Sequence, residues 1–449
     1  LLALTASLAC VAASPAPARM HQPSKAAAAA PVPQIVQKDG RWALMVDGSP
    51  FLMLATQVNN SSAWPSQLPK VWPAVEALHA NTLEVPIAWE QIEPEQGKFD
   101  FAFLDLVENE TGIYGSTRDH SPAAEALFGA PVPDEVLKAT GKTAGGTWSK
   151  VYGKDADEFF YAWCVSRYVE QVAAAGKAEY GLPLYVNAAL KDPFKDQPAG
   201  SFPSGGPTWD VLDIWKAEAK SIDVLAPDIY MHEFPAYVRT LELYGRPDNA
   251  LFVPETANTR ENPRMLFEVL GRGGIGFSPF GLDYTGYTNF PLGAPKIDAE
   301  AVEGFALGYK LVGPQMRELA KLSLEGKLHG AAEPIDKHEQ TIPLGDWTAT
   351  VSYGRAQFGA DPAPGNTPPA GGVLIAETGP DSYMVMGYHA RVGFRPTDAT
   401  KRWFYARVEE GHYDNGRWVF DRIWNGDQID WDLNLTSEPT VLRVRLGAY

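Results

Sequence analysis

Cysteine is nearly absent from this chain: among 449 residues only Cys10 and Cys164 carry a thiol. That excludes a disulfide framework. Cys164 sits in the aromatic-rich helical pattern FFYAWCVSRYVEQV and reads as a structural thiol rather than a nucleophile. The eight histidines show neither an i, i+4 pair nor a His/Cys cluster, so no metal is called for. No GxSxG elbow and no P-loop occurs, and GRGGIGF, residues 271–277, does not open a helix after a strand as a dinucleotide fingerprint would. Its glycines read as packing for a strand, and no cofactor is called for. Past residue 18 there is no run of the roughly 20 apolar residues that a membrane span needs. Positive charge is also short. The formal net charge of −17 argues against nucleic acid or an anionic membrane surface as a partner and favours a neutral substrate.

What remains is globular: 45% hydrophobic and 21% charged residues are enough to build cores despite 37 prolines. The length suggests two domains, one of them large enough for a barrel of about 250 residues. Residues 1–18, LLALTASLACVAASPAPA, have the apolar run and small-residue tail of an export signal, which predicts a periplasmic or extracellular protein. Cys10 is a poor lipoprotein cysteine because Ser7 stands three residues before it, so plain secretion is the preferred reading. Residues 19–34, rich in Ala and Pro, read as a linker.

From Ile35 the pattern changes. KDGRWALMVDGSPFLMLATQ alternates around two Gly-containing turns, which is hairpin chemistry leading into a strand. Short apolar strands then alternate with helical stretches: FLMLATQ, LPKVWPAVEALHA and NTLEVPIAW, then strands at 182–189, 223–230, 251–256 and 273–281 with helical segments between them. One long helix is predicted over AEAVEGFALGYKLVGPQMRELAKLSLEG. This rhythm predicts an α/β fold over residues 35–329, a TIM (β/α)8-type barrel. From about Gly330 the period becomes that of strands, and residues 330–449 read as an all-β sandwich.

Two predicted strands end in a carboxylate: VENE, giving Glu110, and LFVPE, giving Glu255. The carboxyl ends of parallel barrel strands open on one face, so the two side chains would converge over one pocket. Glycoside hydrolysis needs such a pair, one carboxyl to protonate the leaving group and one to attack the anomeric carbon. Asn109 is placed to bond a sugar 2-hydroxyl. Taken alone, Glu108, Glu90, Glu93 and Glu95 read as solvated surface charges.

The VENE and VPE stretches, in that order, with IAWEQIEPEQGKFDF before them, resemble the β-galactosidases of glycoside hydrolase families 35 and 42, which are retaining TIM-barrel enzymes. The resemblance covers most of residues 35–449 and is strongest in the barrel. It implies Glu110 as acid/base and Glu255 as nucleophile, and so a hydrolase cleaving terminal β-galactosides of oligosaccharides or plant polysaccharide side chains. The carboxylate pair does not encode the sugar. A β-xylosidase, arabinosidase or endo-glucanase of the same clan stays open, and so does a protein that binds glycan without cleaving it. By position, Tyr230 would hold Glu255, Asn187 would bind hydroxyls, and Trp89 and Glu90 would face the sugar from the second strand. Gln57 and Asn59 would reach it from the first. Trp148 and Trp209 read as core. Between Trp89 and Val107 there is room only for a loop and one helical turn, a shortfall of about 50 to 80 residues against a complete barrel, so the barrel is expected to be incomplete around its third strand and turnover to be impaired.

Overall fold

The computed structural model describes residues 31–86, 98, 117–189, 191–354, 364–414 and 416–449. The chain enters through a three-stranded antiparallel sheet, β1 (Gln34–Lys38), β2 (Arg41–Val46) and β3 (Ser49–Phe51). Asp39-Gly40 and Asp47-Gly48 supply positive φ at both central positions of each turn, the geometry that matches the twist of two-residue hairpins.

Six parallel strands follow: β4 (Met53–Gln57), β5 (Thr82–Glu84), β6 (Tyr185–Ala189), β7 (Val224–Ile229), β8 (Phe252–Thr256) and β9 (Gly276–Pro279). Their order is β5-β4-β9-β8-β7-β6, so the first strand in the chain pairs with the last and the sheet curls. Helices α1 (Leu68–Leu78), α5 (Ala156–Glu179), α6 (Leu212–Glu218), α7 (Phe234–Tyr244), α8 (Met265–Gly271) and α9 (Ala299–Val312) connect or flank them. Short helices α2 (Pro122–Phe128), α3 (Asp134–Ala139) and α4 (Trp148–Tyr152) precede α5. The described residues thus show a curled six-stranded sheet rather than an eight-stranded closed barrel. The expected break between Trp89 and Val107 lies outside them, as do the signal and most of the linker.

Alternation along β4 separates two environments. Leu54 packs into the helical layer, while Met53 turns inward with Phe252 and Ile275 onto an apolar cluster roofed by Leu44, Trp42 and Val46 of the entry sheet. Gly276 is required there. A Cβ on it would come within 2.8 Å of Met53 Cβ and 2.9 Å of the Phe252 ring. The glycine-rich stretch therefore serves packing, as its sequence context suggests.

The single long helix predicted after β9 is two: α9 stops at Gly313–Gln315 and α10 (Met316–Leu324) starts after it. Pro314 explains the break, since it offers no N–H and disfavours helical backbone at the residue before it. Among the described residues ten strands follow, β10 (Leu328–Ala332), β11 (Gln340–Leu344), β12 (Trp347–Tyr353), β13 (Gly372–Gly379), β14 (Ser382–Tyr388), β15 (Ala390–Pro396), β16 (Trp403–Asp414), β17 (Arg417–Ile423), β18 (Leu433–Leu435) and β19 (Thr440–Ala448). They form antiparallel sheets β10-β13-β14-β19-β16-β17 and β11-β12-β15-β18 around one core.

The β13 and β14 strands of the larger sheet are buried on both sides. Along β13, Val373 and Ile375 face the second sheet, whereas Leu374 and Ala376 join the core of the α/β unit. Phe267 of α8 meets the Tyr388 ring edge-on at 5.3 Å across this junction. Glu333, fully buried, accepts from the backbone N–H groups of Asn366 (2.6 Å), Ala370 (2.9 Å) and Gly371 (3.0 Å) and from Asn366 Nδ2 (2.7 Å), while Arg264 donates to its carbonyl at 2.8 Å. Removing the buried carboxylate orphans the backbone N–H groups of Asn366, Ala370 and Gly371. Glu333→Ala is expected to cost about 2–4 kcal/mol in urea unfolding, and a loss under about 0.5 kcal/mol would contradict this role.

Two carboxyls have their ionisation delayed by burial. Glu84, on β5, is pushed up to about 7 by desolvation, partly offset by the hydrogen bond from Tyr185. Tyr185 Oη donates to Glu84 Oε2 at 2.6 Å, joining the two end strands of the curled sheet, β5 and β6. Glu158 on α5 is likewise raised to about 7, by burial and by the neighbouring Asp210. The unfolded chain ionises both near 4.5, while the folded chain ionises them only near 7. Their contribution to stability is therefore complete below about pH 4.5, declines as pH rises to about 7, and is flat above. Glu84→Gln is expected to remove about 3 kcal/mol of that decline, roughly half, in unfolding free energies measured from pH 4.5 to 7.5. An unchanged profile would contradict the assignment.

Candidate active site

Strict alternation along FVPET would put Phe252, Pro254 and Thr256 on one face. The structure does otherwise. The register between β8 and β9 shifts between Val253 and Thr256, and this irregularity turns Glu255 inward. Phe252 points into the cluster beneath the sheet, Val253 into the helical layer, Glu255 toward Gln57 and Tyr230, and Thr256 outward to Tyr237 and Asn262 of the helical side. A bulge that re-aims one side chain is a common device beside functional sites.

Glu255 is only 6% exposed, at the carboxyl end of its strand. Tyr230, directly after β7, donates its phenol to Glu255 Oε2 at 2.7 Å, and Gln57 Nε2, at the end of β4, donates to Oε1 at 3.1 Å. Both oxygens accept, and the donors come from strands on either side of the sheet order, so the carboxylate plane is fixed. Tyr230 in turn rests on Ala257 and Phe280, a small apolar cluster at the same rim.

The next strand adds an acidic neighbour. Asp228 is paired with Glu255 in the β7–β8 register and is 3% exposed. Asn187 Nδ2 of β6 donates to both of its oxygens at 3.0 Å. Asn187 thus joins the site through Asp228. Glu84 is paired with Gln57 in the β4–β5 register and places a further carboxyl inside the curl. Neither Asp228 nor Glu84 is among the residues singled out from the sequence. Their signal was an acidic side chain inside an apolar strand, two residues before Tyr230 in one case and between Leu83 and Val85 in the other.

Of the predicted site residues, Glu255, Tyr230, Gln57 and Asn187 gather on this rim. Asn59 lies two residues beyond Gln57, and its side-chain amide has no hydrogen-bond partner among the described residues. Glu110, Asn109, Trp89 and Glu90 lie outside the described residues. Trp148 is core, packed with Phe160 and Trp163, and Trp209 packs against that core with Lys191 over its ring at 5.6 Å. The Cys164 thiol is pushed up to about 11 by burial, the state of an unreactive cysteine. Among the described residues no group of three or more His, Cys, Asp or Glu is placed to hold a metal ion, and no helix is long and apolar enough to cross a membrane.

Residues 305–436, from the middle of α9 through β18, match a family described as a domain of unknown function, DUF5597. No curated protein matches the chain. Among solved structures, a monomeric beta-xylosidase from Caulobacter crescentus CB15 aligns at 10% identity over 88% of this chain and 96% of its own, with a TM-score of 0.30. A glycosyl hydrolase family 2 member from Bacteroides cellulosilyticus aligns at 10% identity over 93% of this chain and 63% of its own, also at 0.30. Superpositions this loose carry no argument about what this chain does.

Proposed function

We propose that this chain is an exported retaining glycoside hydrolase that removes terminal β-galactosyl residues from oligosaccharides or plant polysaccharide side chains. The observation that carries the reading is Glu255: a buried strand-end carboxylate, turned inward by a bulge and clamped by a phenol and an amide from two other strands. A group held this way is oriented as a nucleophile toward a substrate lying over the carboxyl ends of the strands.

In this reading the six parallel strands belong to a (β/α)8-type barrel that is incomplete around its third strand. Glu255 attacks the anomeric carbon while Glu110 gives its proton to the departing oxygen, forming a glycosyl-Glu255 ester. Glu110 then takes a proton from water, which attacks the same carbon and releases the sugar with its configuration retained. Gln57 and Tyr230 keep the carboxylate in line. Asn109, Trp89 and Glu90 complete the sugar pocket, and Asp228 presents Asn187 to a hydroxyl.

Glu255→Gln is expected to lower kcat on an aryl β-galactoside by at least about 10³-fold while circular dichroism stays that of the wild type. Tyr230→Phe, which removes one donor and leaves the ring, is expected to lose about 10- to 100-fold. Wild-type rates in Glu255→Gln would overturn the assignment. A Glu255→Gln chain that binds galactosides as the wild type does, where the wild type releases no product, would identify a glycan binder instead.

A further inference from the structure

Beside the Glu255 rim lies a second concavity that the reaction above does not use. The loop after β4 and the loop after β9 enclose a cleft of about 490 Å³, walled by Asn59, Ser62, Trp64, Gln67, Thr285 and Tyr287. That volume is in the range of ligand sites rather than surface wrinkles. Among the described residues all its lining side chains are uncharged. Trp64 is 44% exposed and Tyr287 62% exposed, so each loop presents a large aromatic surface to solvent.

The walls are held in place. Asp283, fully buried, accepts from Asn59 N at 2.9 Å, from Ser62 Oγ at 2.7 Å and from Thr285 N at 2.9 Å, tying the two loops to one carboxylate. Gly281 N donates to the Gln57 carbonyl at 2.7 Å, which joins this frame to the residue that grips Glu255. Gly281 has φ +69°, and a Cβ there would stand 2.7 Å from Asn59 Oδ1. Asn59 itself is 3% exposed with neither amide atom partnered among the described residues. A buried amide left unmet costs about 1–3 kcal/mol, which a ligand's hydroxyl would recover.

Two aromatic surfaces with amides and hydroxyls, and no charged side chain among the described lining residues, are the chemistry of a neutral polyhydroxylated ring. Such a ligand has apolar faces to lay on aromatics and hydroxyls to bond at its edge. We propose that this cleft is the leaving-group subsite, taking the pyranose ring next to the bond that is cut, with Trp64 and Tyr287 as its stacking walls. The proposal rests on the glycosidase reading of Glu255. It makes the enzyme selective for substrates whose leaving group is itself a sugar. Pre-ordered loops keep the entropy lost on binding small.

The test compares kcat/KM of the full chain on lactose, whose leaving group is a pyranose, and on β-galactosyl fluoride, whose leaving group has no ring. Trp64→Ala and Tyr287→Ala, both at exposed positions, are each expected to lose at least about tenfold more on lactose than on the fluoride. Equal losses on the two substrates, or none, would overturn the proposal. If the wild type turns over neither, calorimetric titration of the full chain with lactose and with cellobiose decides instead. Binding weakened at least about tenfold by Trp64→Ala would keep the cleft as a saccharide site while the glycosidase reading fell. No binding of either sugar, or binding indifferent to Trp64, would overturn the cleft as well.

Discussion

Pairing of β4 with β9, the first and last parallel strands in the chain, is the constraint on which the site depends. It brings Gln57 beside Glu255, residues almost two hundred positions apart, and makes the loops after β4 and β9 neighbours. Tyr309 of α9 reinforces the pairing from outside, with its hydroxyl bonding the carbonyl of Ala55 on β4 and, at 2.9 Å, that of Phe277 on β9. An open sheet would take the Gln57 donor away from Glu255, leaving Tyr230 as its donor among the described residues. The curl supplies the second donor.

The same curl sets an electrostatic problem. Glu84, Asp228 and Glu255 all enter a space with little water, and each burial is tolerable only with bonded partners. Glu84 resolves it by ionising only near pH 7 and by accepting from Tyr185. Asp228 has the Asn187 amide, and Glu255 has Tyr230 and Gln57. The β-sandwich stabilises the frame from outside, because one of its sheets is buried against α8 as well as against its partner sheet. It is a second wall of the α/β unit rather than an appended module.

Strands buried on both faces left a plain signal, and the predicted stretches ending at Tyr230 and Thr256 carry β7 and β8. The alternation of β13 and β14 likewise read as strand. Other features were hidden for identifiable reasons. The bulge in β8 cannot be read from FVPET, since a register shift depends on the partner strand. Helices α2, α3 and α4 are each a turn or two long, ended at Gly129, Thr140 and Gly153, and too short to show a period. Pro314 was visible but outweighed by the apolar rhythm around it. Glu84 and Asp228 were passed over because an acid in a strand is usually a surface charge, and only the curl turns them inward. The cleft residues Trp64 and Tyr287 lie in separate loops with nothing in the sequence to link them.

The measurement that bears most directly on this account is a covalent trap. The chain would be incubated briefly with a 2-deoxy-2-fluoro-galactosyl fluoride, which a competent nucleophile attacks but releases slowly, and then weighed intact and mapped by peptide. The account predicts a single added 2-fluorogalactosyl group on Glu255. An adduct on another carboxylate, or none in a chain that folds cooperatively, would contradict it.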